Sequence, residues 1–335
     1  MSEAGSPLEL PFGSCSVAVF APSPVVTITV EAGSESEPDI HLHAGGQGFW
    51  VARMAARLGA KVSLCVPLGG ESGTVLRSLL AVEGISVLSV ETQAANGAYI
   101  HDRRGGSRVV VAETSSPPLT RHELDDLYGV TLAAGMESDV ALITGTRNPG
   151  ILSAEVYERL CRDLRTNGRM VAADLSGEPL TAAVRGGVDF LKVSDEDLLL
   201  NGRMKTRGPQ ATAEVARAFC EGGAANVLVS RSSEPAILLT GDRELEVDGP
   251  HFEPVDEHGA GDSLFAGIGV GIGGGLPMEA AVKLGVAAGA LNVARHGLGT
   301  GHLREVASLC EQVRFDPLQV GGADSAARSA ASTAS

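Results

Sequence analysis

A chain of 335 residues, 44% of them hydrophobic, suits one large α/β domain with a small appendage and contains no unbroken apolar run long enough to span a bilayer. The formal net charge of −15 argues against a nucleic-acid partner, and five cysteines without Cys-x-x-Cys spacing argue against a disulfide frame or a zinc site. Residues 1–13 carry Glu3 and Glu9 and lack the basic and apolar regions of a secretory signal, so a soluble cytoplasmic protein with no membrane contact is expected.

In chain order, the apolar run 16–20 reads as a buried first strand. Residues 25–30 are rich in β-branched side chains, and after a polar turn at 32–38 the run 39–43 alternates, so the two form a pair able to build a separate small sheet. Gly45 and Gly46 precede Val51, Met54, Ala55 and Leu58, spaced i, i+3, i+4 and i+7; that spacing predicts a helix from about Gln47 to Gly59. Its glycine-rich start is a candidate ligand-facing turn. A strand at 61–67, a helix at 73–84 and a strand at 85–90 follow, an alternation that marks a doubly wound, mostly parallel sheet with helices on both faces. Strands at 98–102 and 108–113 are joined by Arg103-Arg104-Gly105-Gly106, a hairpin turn whose arginines, with Arg108, are candidates to reach an anionic group.

From Leu119 the alternation resumes, with helices at 119–135, 153–166 and 211–221 and strands at 139–144, 170–174, 188–193 and 226–231. Ligands of open α/β sheets sit beyond the carboxyl ends of the strands, so the loops 145–150 and 174–179 should line a cleft. Long helices are expected at 278–295 and 302–313. The division expected is one domain over 14–315, a lid with strands from about 25–44 and 96–114, and a disordered tail over 316–335, whose stretch from Gly321 is Ala, Ser and Gly with few large apolar residues.

One stretch organises the rest: Asp256-Glu257-His258-Gly259-Ala260-Gly261-Asp262, followed by a small-residue apolar run to Ile272. It reads as a loop feeding a helix N-terminus, where unpaired N–H groups and the helix dipole attract anions. Gly259 and Gly261 let the backbone approach a ligand, and Asp262 is placed to accept a proton from a hydroxyl nucleophile. Phosphoryl transfer needs that combination. No P-loop and no Gly-x-Gly-x-x-Gly fingerprint is present.

The six-residue spacing from Asp256 to Asp262, with Leu264-Phe265-Ala266-Gly267 after it, resembles the carboxy-terminal signature of the ribokinase-like (phosphofructokinase B, PfkB) carbohydrate kinases. The glycines at 45–48 and the Val-Ala-Arg…Arg-Leu-Gly tail at 51–59 resemble the family's amino-terminal signature, nearest the 1-phosphofructokinase and tagatose-6-phosphate kinase branch. The resemblance implies a ribokinase-like fold, ATP and Mg²⁺, Asp262 as catalytic base, and the backbone of Gly259, Ala260 and Gly261 as the anion hole. By the same resemblance the acceptor region includes Thr27, Gly45, Gly46, Gln47 and Trp50, and Arg103 of the hairpin turn is added as a candidate for an anionic substrate group. Here the chain departs from the branch, with Thr27 for an acid, Gln47 for lysine and Trp50 for asparagine. The element Lys192-Val193-Ser194-Asp195-Glu196-Asp197 looks like the family's Lys-x-Asn-x-x-Glu, with Asp197 toward the metal; on residues alone it is equally a helix start capped by Ser194. Lys192, Ser230, Arg231 and Asn292 fall on the nucleotide side, where the loop after 231 lacks the family's glycines.

The reading is an ATP-dependent kinase acting on a hydroxyl of a sugar or sugar phosphate, with a homodimer through the lid. Alternatives are a non-catalytic ligand-binding or regulatory protein on the same scaffold and a nucleoside kinase of the family.

Overall fold

The computed structural model describes residues 14–33, 37–256 and 258–319. The first strand, β1 (Ser16–Phe20), forms as expected and lies inside the sheet, its Val17, Val19 and Phe20 wholly buried. The β-branched run is β2 (Val25–Ala32), paired antiparallel with β3 (Pro38–Gly45), and the amphipathic stretch is α1 (Gln47–Arg57). Val51, Met54, Ala55 and Leu58, the residues that set its period, are all removed from solvent. Then come β4 (Lys61–Gly69), α2 (Gly70–Ala81), β5 (Ser86–Thr92), β6 (Gly97–Asp102) and β7 (Val109–Thr114). The next stretch contains α3 (Arg121–Glu137), β8 (Val140–Thr144), α4 (Ala154–Thr166), β9 (Met170–Asp174), α5 (Gly177–Gly186), β10 (Phe190–Ser194), α6 (Asp195–Leu200) and α7 (Pro209–Gly222). The chain closes with β11 (Asn226–Arg231), β12 (Glu234–Thr240), β13 (Arg243–Asp248), α8 (Ala260–Gly273), α9 (Met278–Val293), α10 (Leu303–Cys310) and β14 (Arg314–Pro317).

Ten strands make the main sheet in the order β14-β13-β12-β11-β10-β9-β8-β1-β4-β5. It is parallel from β11 to β5 and antiparallel at its β12–β14 edge. Helices cover both faces: α1, α2, α8 and α9 contribute to one apolar core, α4, α5 and α7 to the other. Strands buried on both faces must be apolar throughout, which is why 17–20, 140–143 and 227–229 carry no alternation. From β1 the chain moves outward to β4 and β5 on one side and later to β8, β9 and β10 on the other. That reversal opens a crevice at the carboxyl ends of β1 and β8.

The four remaining strands form a separate sheet, β3-β2-β6-β7, which is the expected lid. Tyr99 and His101 of β6 face the crevice; Ile28, Leu42 and Ile100 pair across the opposite face.

Several local readings needed correction. Residues 177–179 open helix α5 instead of continuing a loop, and β12 and β13 form where no strand was expected. The turn 231–234 is a tight hairpin with Ser232 at a φ of 51°, so the place expected to hold a nucleotide-side loop is a strand connection. β14 crosses the expected domain boundary at 315, because residues 314–317 pair with β13. The signal-sequence reading at 1–13, part of the acidic turn at 34–36 and the tail at 320–335 lie outside the described residues. No helix among the described residues is long and apolar enough to cross a membrane.

Candidate active site

Asp262 occupies the first turn of α8, a helix whose Phe265, Ile268 and Val270 are buried, as expected of one that is apolar on all sides. Gly259 caps it in the left-handed region at a φ of 70°, a conformation that opposes a side chain. The turn is held from below by Asn292 of α9. Its Nδ2 donates to His258 O (2.8 Å), while its Oδ1 accepts from Ser263 Oγ (3.1 Å) and Gly299 N (2.9 Å). Asn292, expected to touch nucleotide, is 1% exposed and its side chain holds this turn. First-turn N–H groups of a helix have no intrahelical acceptors, so the turn presents donors and partial positive charge at the crevice.

Asp262, Gly259 and His258 form one wall of a cavity of about 440 Å³ that runs under the lid. Burial, and then the negative charge of Asp174, push the Asp262 carboxyl up to about 7, with Lys192 acting in the opposite sense. Lys192 lies behind the turn and donates to Asp174 Oδ2 at 3.0 Å. The two are neighbours in register at the carboxyl ends of β10 and β9. Burial disfavours the Lys192 ammonium, but Asp174, Asp262 and Asp197 outweigh it and hold its pKa above the ordinary lysine value. A Cβ at position 261 would stand 2.8 Å from Lys192 Nζ, so only glycine leaves the lysine this close to the α8 backbone. The result is a carboxylate poised near neutrality beside a buried cation and a helix N-terminus.

The acceptor residues expected from sequence divide. Gly46, Gln47 and Trp50 line the cavity. Gln47 bridges two strand ends, its Oε1 accepting from Gly145 N (2.8 Å) and its Nε2 donating to Asp174 O (3.3 Å). Trp50 packs on Phe49 with Arg53 over its ring. Thr27 and Gly45 are not brought to the cavity wall: the Thr27 hydroxyl is buried without a partner, and a Cβ on Gly45 would lie 2.5 Å from it. Arg103 is turned away from the cavity and pairs with Asp256.

On the nucleotide side, Arg231 Nη1 donates to Pro235 O (2.9 Å) and Ser230 Oγ to Val193 O (3.5 Å). Both side chains bond the backbone of a neighbouring strand, Arg231 that of β12 and Ser230 that of β10. Ser194 caps α6: its Oγ accepts from Asp197 N (3.0 Å) and donates to Asp197 Oδ2 (2.6 Å). The Asp197 charge also acts on Lys192, in the direction that favours the ammonium. Among the described residues no group of three or more potential ligands converges on a metal position.

Two cavity residues were not legible as a pair. Arg108 lines the cavity, forms no ion pair among the described residues, and donates from Nε to His101 Nδ1 (2.7 Å). With Nδ1 accepting, the His101 proton sits on Nε2, which is buried and unpartnered. Burial, reinforced by Arg108, lowers His101 to about 4, so the ring is a neutral donor. The one sequence signal was Tyr99 and His101 sharing a face of β6 by the period of two.

An α/β crevice under a separate four-stranded sheet is the fold of the ribokinase-like class. The pfkB family carbohydrate kinase profile matches residues 12–305, and the chain belongs to that family. It is 28% identical to the ATP-dependent 6-phosphofructokinase isozyme 2 of Mycobacterium tuberculosis (strain ATCC 25618 / H37Rv), over 83% of this chain and 81% of that one. It is 24% identical to the 1-phosphofructokinase of Bacillus subtilis (strain 168), over 77% and 84%. Its fold superimposes on a crystal structure of Escherichia coli phosphofructokinase-2 in complex with potassium with a TM-score of 0.79 at 23% identity, covering 89% of this chain and 98% of the other.

Proposed function

We propose that this carbohydrate kinase transfers the γ-phosphoryl group of ATP to a hydroxyl of a sugar phosphate, with Asp262 as general base. The observation that carries the reading is the Asp262 carboxyl itself, raised to about 7 at the mouth of α8 and facing a cavity of about 440 Å³. A base with a pKa near the working pH balances the ionised fraction against the strength needed to draw a proton. Asp262 takes the proton of the acceptor hydroxyl as its oxygen bonds to the γ-phosphorus and the bond to the β-phosphate oxygen breaks, releasing ADP. The N–H groups of the turn 259–261 and the α8 dipole hold the charge that develops on the transferred group. Lys192 and Asp174 keep the charge balance behind the turn.

A phosphorylated acceptor is supported by Arg108, a cation in the cavity wall with no carboxylate partner among the described residues, and by the names of the curated relatives. Asp197 is the carboxylate that would hold a magnesium ion, through water. When bound, it neutralises phosphate charge. A homodimer through the lid is supported by the apolar outward face, where Ile40 and Val109 are 57% and 56% exposed.

The test is ADP release with Mg·ATP over a panel of hexoses, hexose phosphates and nucleosides. Turnover with a hexose phosphate and none with its dephosphorylated form is the expected result. Ligand-induced thermal stabilisation without turnover across the panel would replace the kinase reading with that of a binding protein.

A further inference from the structure

Each hydroxyl of a sugar phosphate donates one hydrogen bond and accepts others, so the wall that receives it must supply acceptors as well as donors. Among the described residues two carboxylates line the cavity, Asp262 and Glu113. Asp262 is the base. Other side-chain oxygens are already engaged: Gln47 Oε1 accepts from Gly145 N (2.8 Å) and Asn148 Oδ1 from Gly150 N (3.0 Å). The Thr27 hydroxyl is buried and off the wall. Glu113 is therefore the carboxylate available to bind an acceptor hydroxyl that does not react.

Glu113 is carried by the lid strand β7, directly across from Tyr99 of β6, and such cross-strand neighbours share a face of the sheet. That face is turned to the crevice. From the main domain Arg147 reaches the same point: its Nε lies 3.2 Å from Glu113 Oε1, and its Cζ is 5.8 Å from the centre of the Tyr99 ring. Arg147 projects from a loop that is tied to itself beyond the carboxyl end of β8, with Thr146 Oγ1 donating to Asn148 O at 2.8 Å. Among the described residues Glu113 forms no second ion pair. The two side chains are 68% and 34% exposed, and an exposed ion pair adds little to stability. They can therefore exchange contacts with each other for contacts with a ligand while the fold stands.

A carboxylate can accept from two hydroxyls at once, and a guanidinium beside it can donate to their oxygens. We propose that Glu113 and Arg147 are specificity-determining residues that together read a vicinal diol of the acceptor. The proposal rests on the sugar-phosphate kinase reading and adds which part of the acceptor is recognised. Charge separates the tasks within the cavity. Arg108, with no carboxylate partner among the described residues, suits the anionic group, whereas Arg147 and Glu113 neutralise each other and suit uncharged hydroxyls.

The experiment measures ADP release from Mg·ATP by the full chain with fructose 1-phosphate, fructose 6-phosphate and glucose 6-phosphate, and with monodeoxy analogues that each lack one hydroxyl of a diol. Wild type should lose about tenfold to a hundredfold in kcat/KM when a hydroxyl of the recognised diol is missing, the worth of a charge-assisted hydrogen bond. Glu113→Ala should lose a similar factor on the intact sugar phosphate, chiefly through KM, and should no longer distinguish it from the analogue. Arg147→Met should shrink the same ratio, and the double variant should fall no further than Glu113→Ala alone. Glu113→Gln, which keeps the shape and one accepting oxygen, should lie between and serves if the alanine variant fails to fold. KM for ATP and the thermal midpoint should stay at wild-type values, which a purely structural role would not predict alongside lost discrimination. Equal turnover of intact and deoxy sugar phosphates by wild type, or unchanged discrimination in Glu113→Ala and Glu113→Gln, would reduce the pair to a surface ion pair and overturn the proposal while the kinase reading stands. A wild-type chain that turns over none of the three sugar phosphates would remove the acceptor class, and the diol reader with it.

Discussion

Replacing Asp262 with asparagine keeps the shape of the side chain and removes its ability to accept a proton. Positioned general bases contribute about 10²- to 10⁴-fold, so kcat should fall by about a thousandfold while the dissociation constant for Mg·AMP-PNP changes little. The wild-type pH profile should show kcat rising with pH through about 7, because the carboxyl must lose its proton to act. Stability moves the other way. The folded-state pKa lies above the ordinary aspartate value of 3.8, so the folded chain binds the extra proton and loses stability as pH climbs from about 4 to about 7. Three pKa units correspond to about 4 kcal/mol at most, and partial exposure of the site reduces this to a few kcal/mol. Asp262→Asn should therefore unfold a few degrees higher than wild type at pH 8 and show a smaller difference at pH 5. Stopped-assay ADP release across pH 5 to 9 and thermal unfolding at the two pH values read both effects. An asparagine variant within tenfold of wild-type kcat, or a wild-type profile flat between pH 6 and 8, would refute the assignment of the base.

Lys192→Met removes the cation from a buried pair and should destabilise the chain by about 3–5 kcal/mol in urea unfolding. In any fraction that remains active, the Asp262 limb of the pH profile should move above its wild-type position. Asn292→Ala strands His258 O and Gly299 N, at a cost of about 1–3 kcal/mol in the same assay, and should also weaken Mg·AMP-PNP by loosening the turn. Arg108→Ala should raise KM for a hexose phosphate by about tenfold to a hundredfold, the worth of a charge-assisted hydrogen bond, and leave KM for ATP unchanged. Leu42→Glu places a charge on the outward lid face and should shift the chain from dimer to monomer in sedimentation without altering the main sheet.

The strands and helices were readable wherever one period ruled a segment. The α1 stripe of Val51, Met54, Ala55 and Leu58 and the apolar β1 are cases where burial and local pattern agree. Misreadings fell where pattern was weak or tertiary pairing decided. β13 has few large apolar residues and becomes a strand because β12 and β14 flank it, and α5 begins at a glycine that reads as a turn. In the site, Asp262 and the 259–261 turn were legible because a glycine-acid pattern ahead of a helix carries its chemistry locally.

What the chain's order of residues determined by itself was the alternation that builds the sheet, the lid pair, and a glycine turn ending in an acid at a helix start. Those are properties of short segments, set by periodicity and backbone freedom. Only the tertiary structure decided that Lys192 meets Asp174 behind that acid, that Arg108 hands His101 its tautomer, and that Arg103 leaves the cavity for Asp256. Those partners lie 18, 7 and 153 residues apart, and their meetings depend on strand register and lid position. Charge pairing depends on distance in space, and no local pattern of residues encodes that distance.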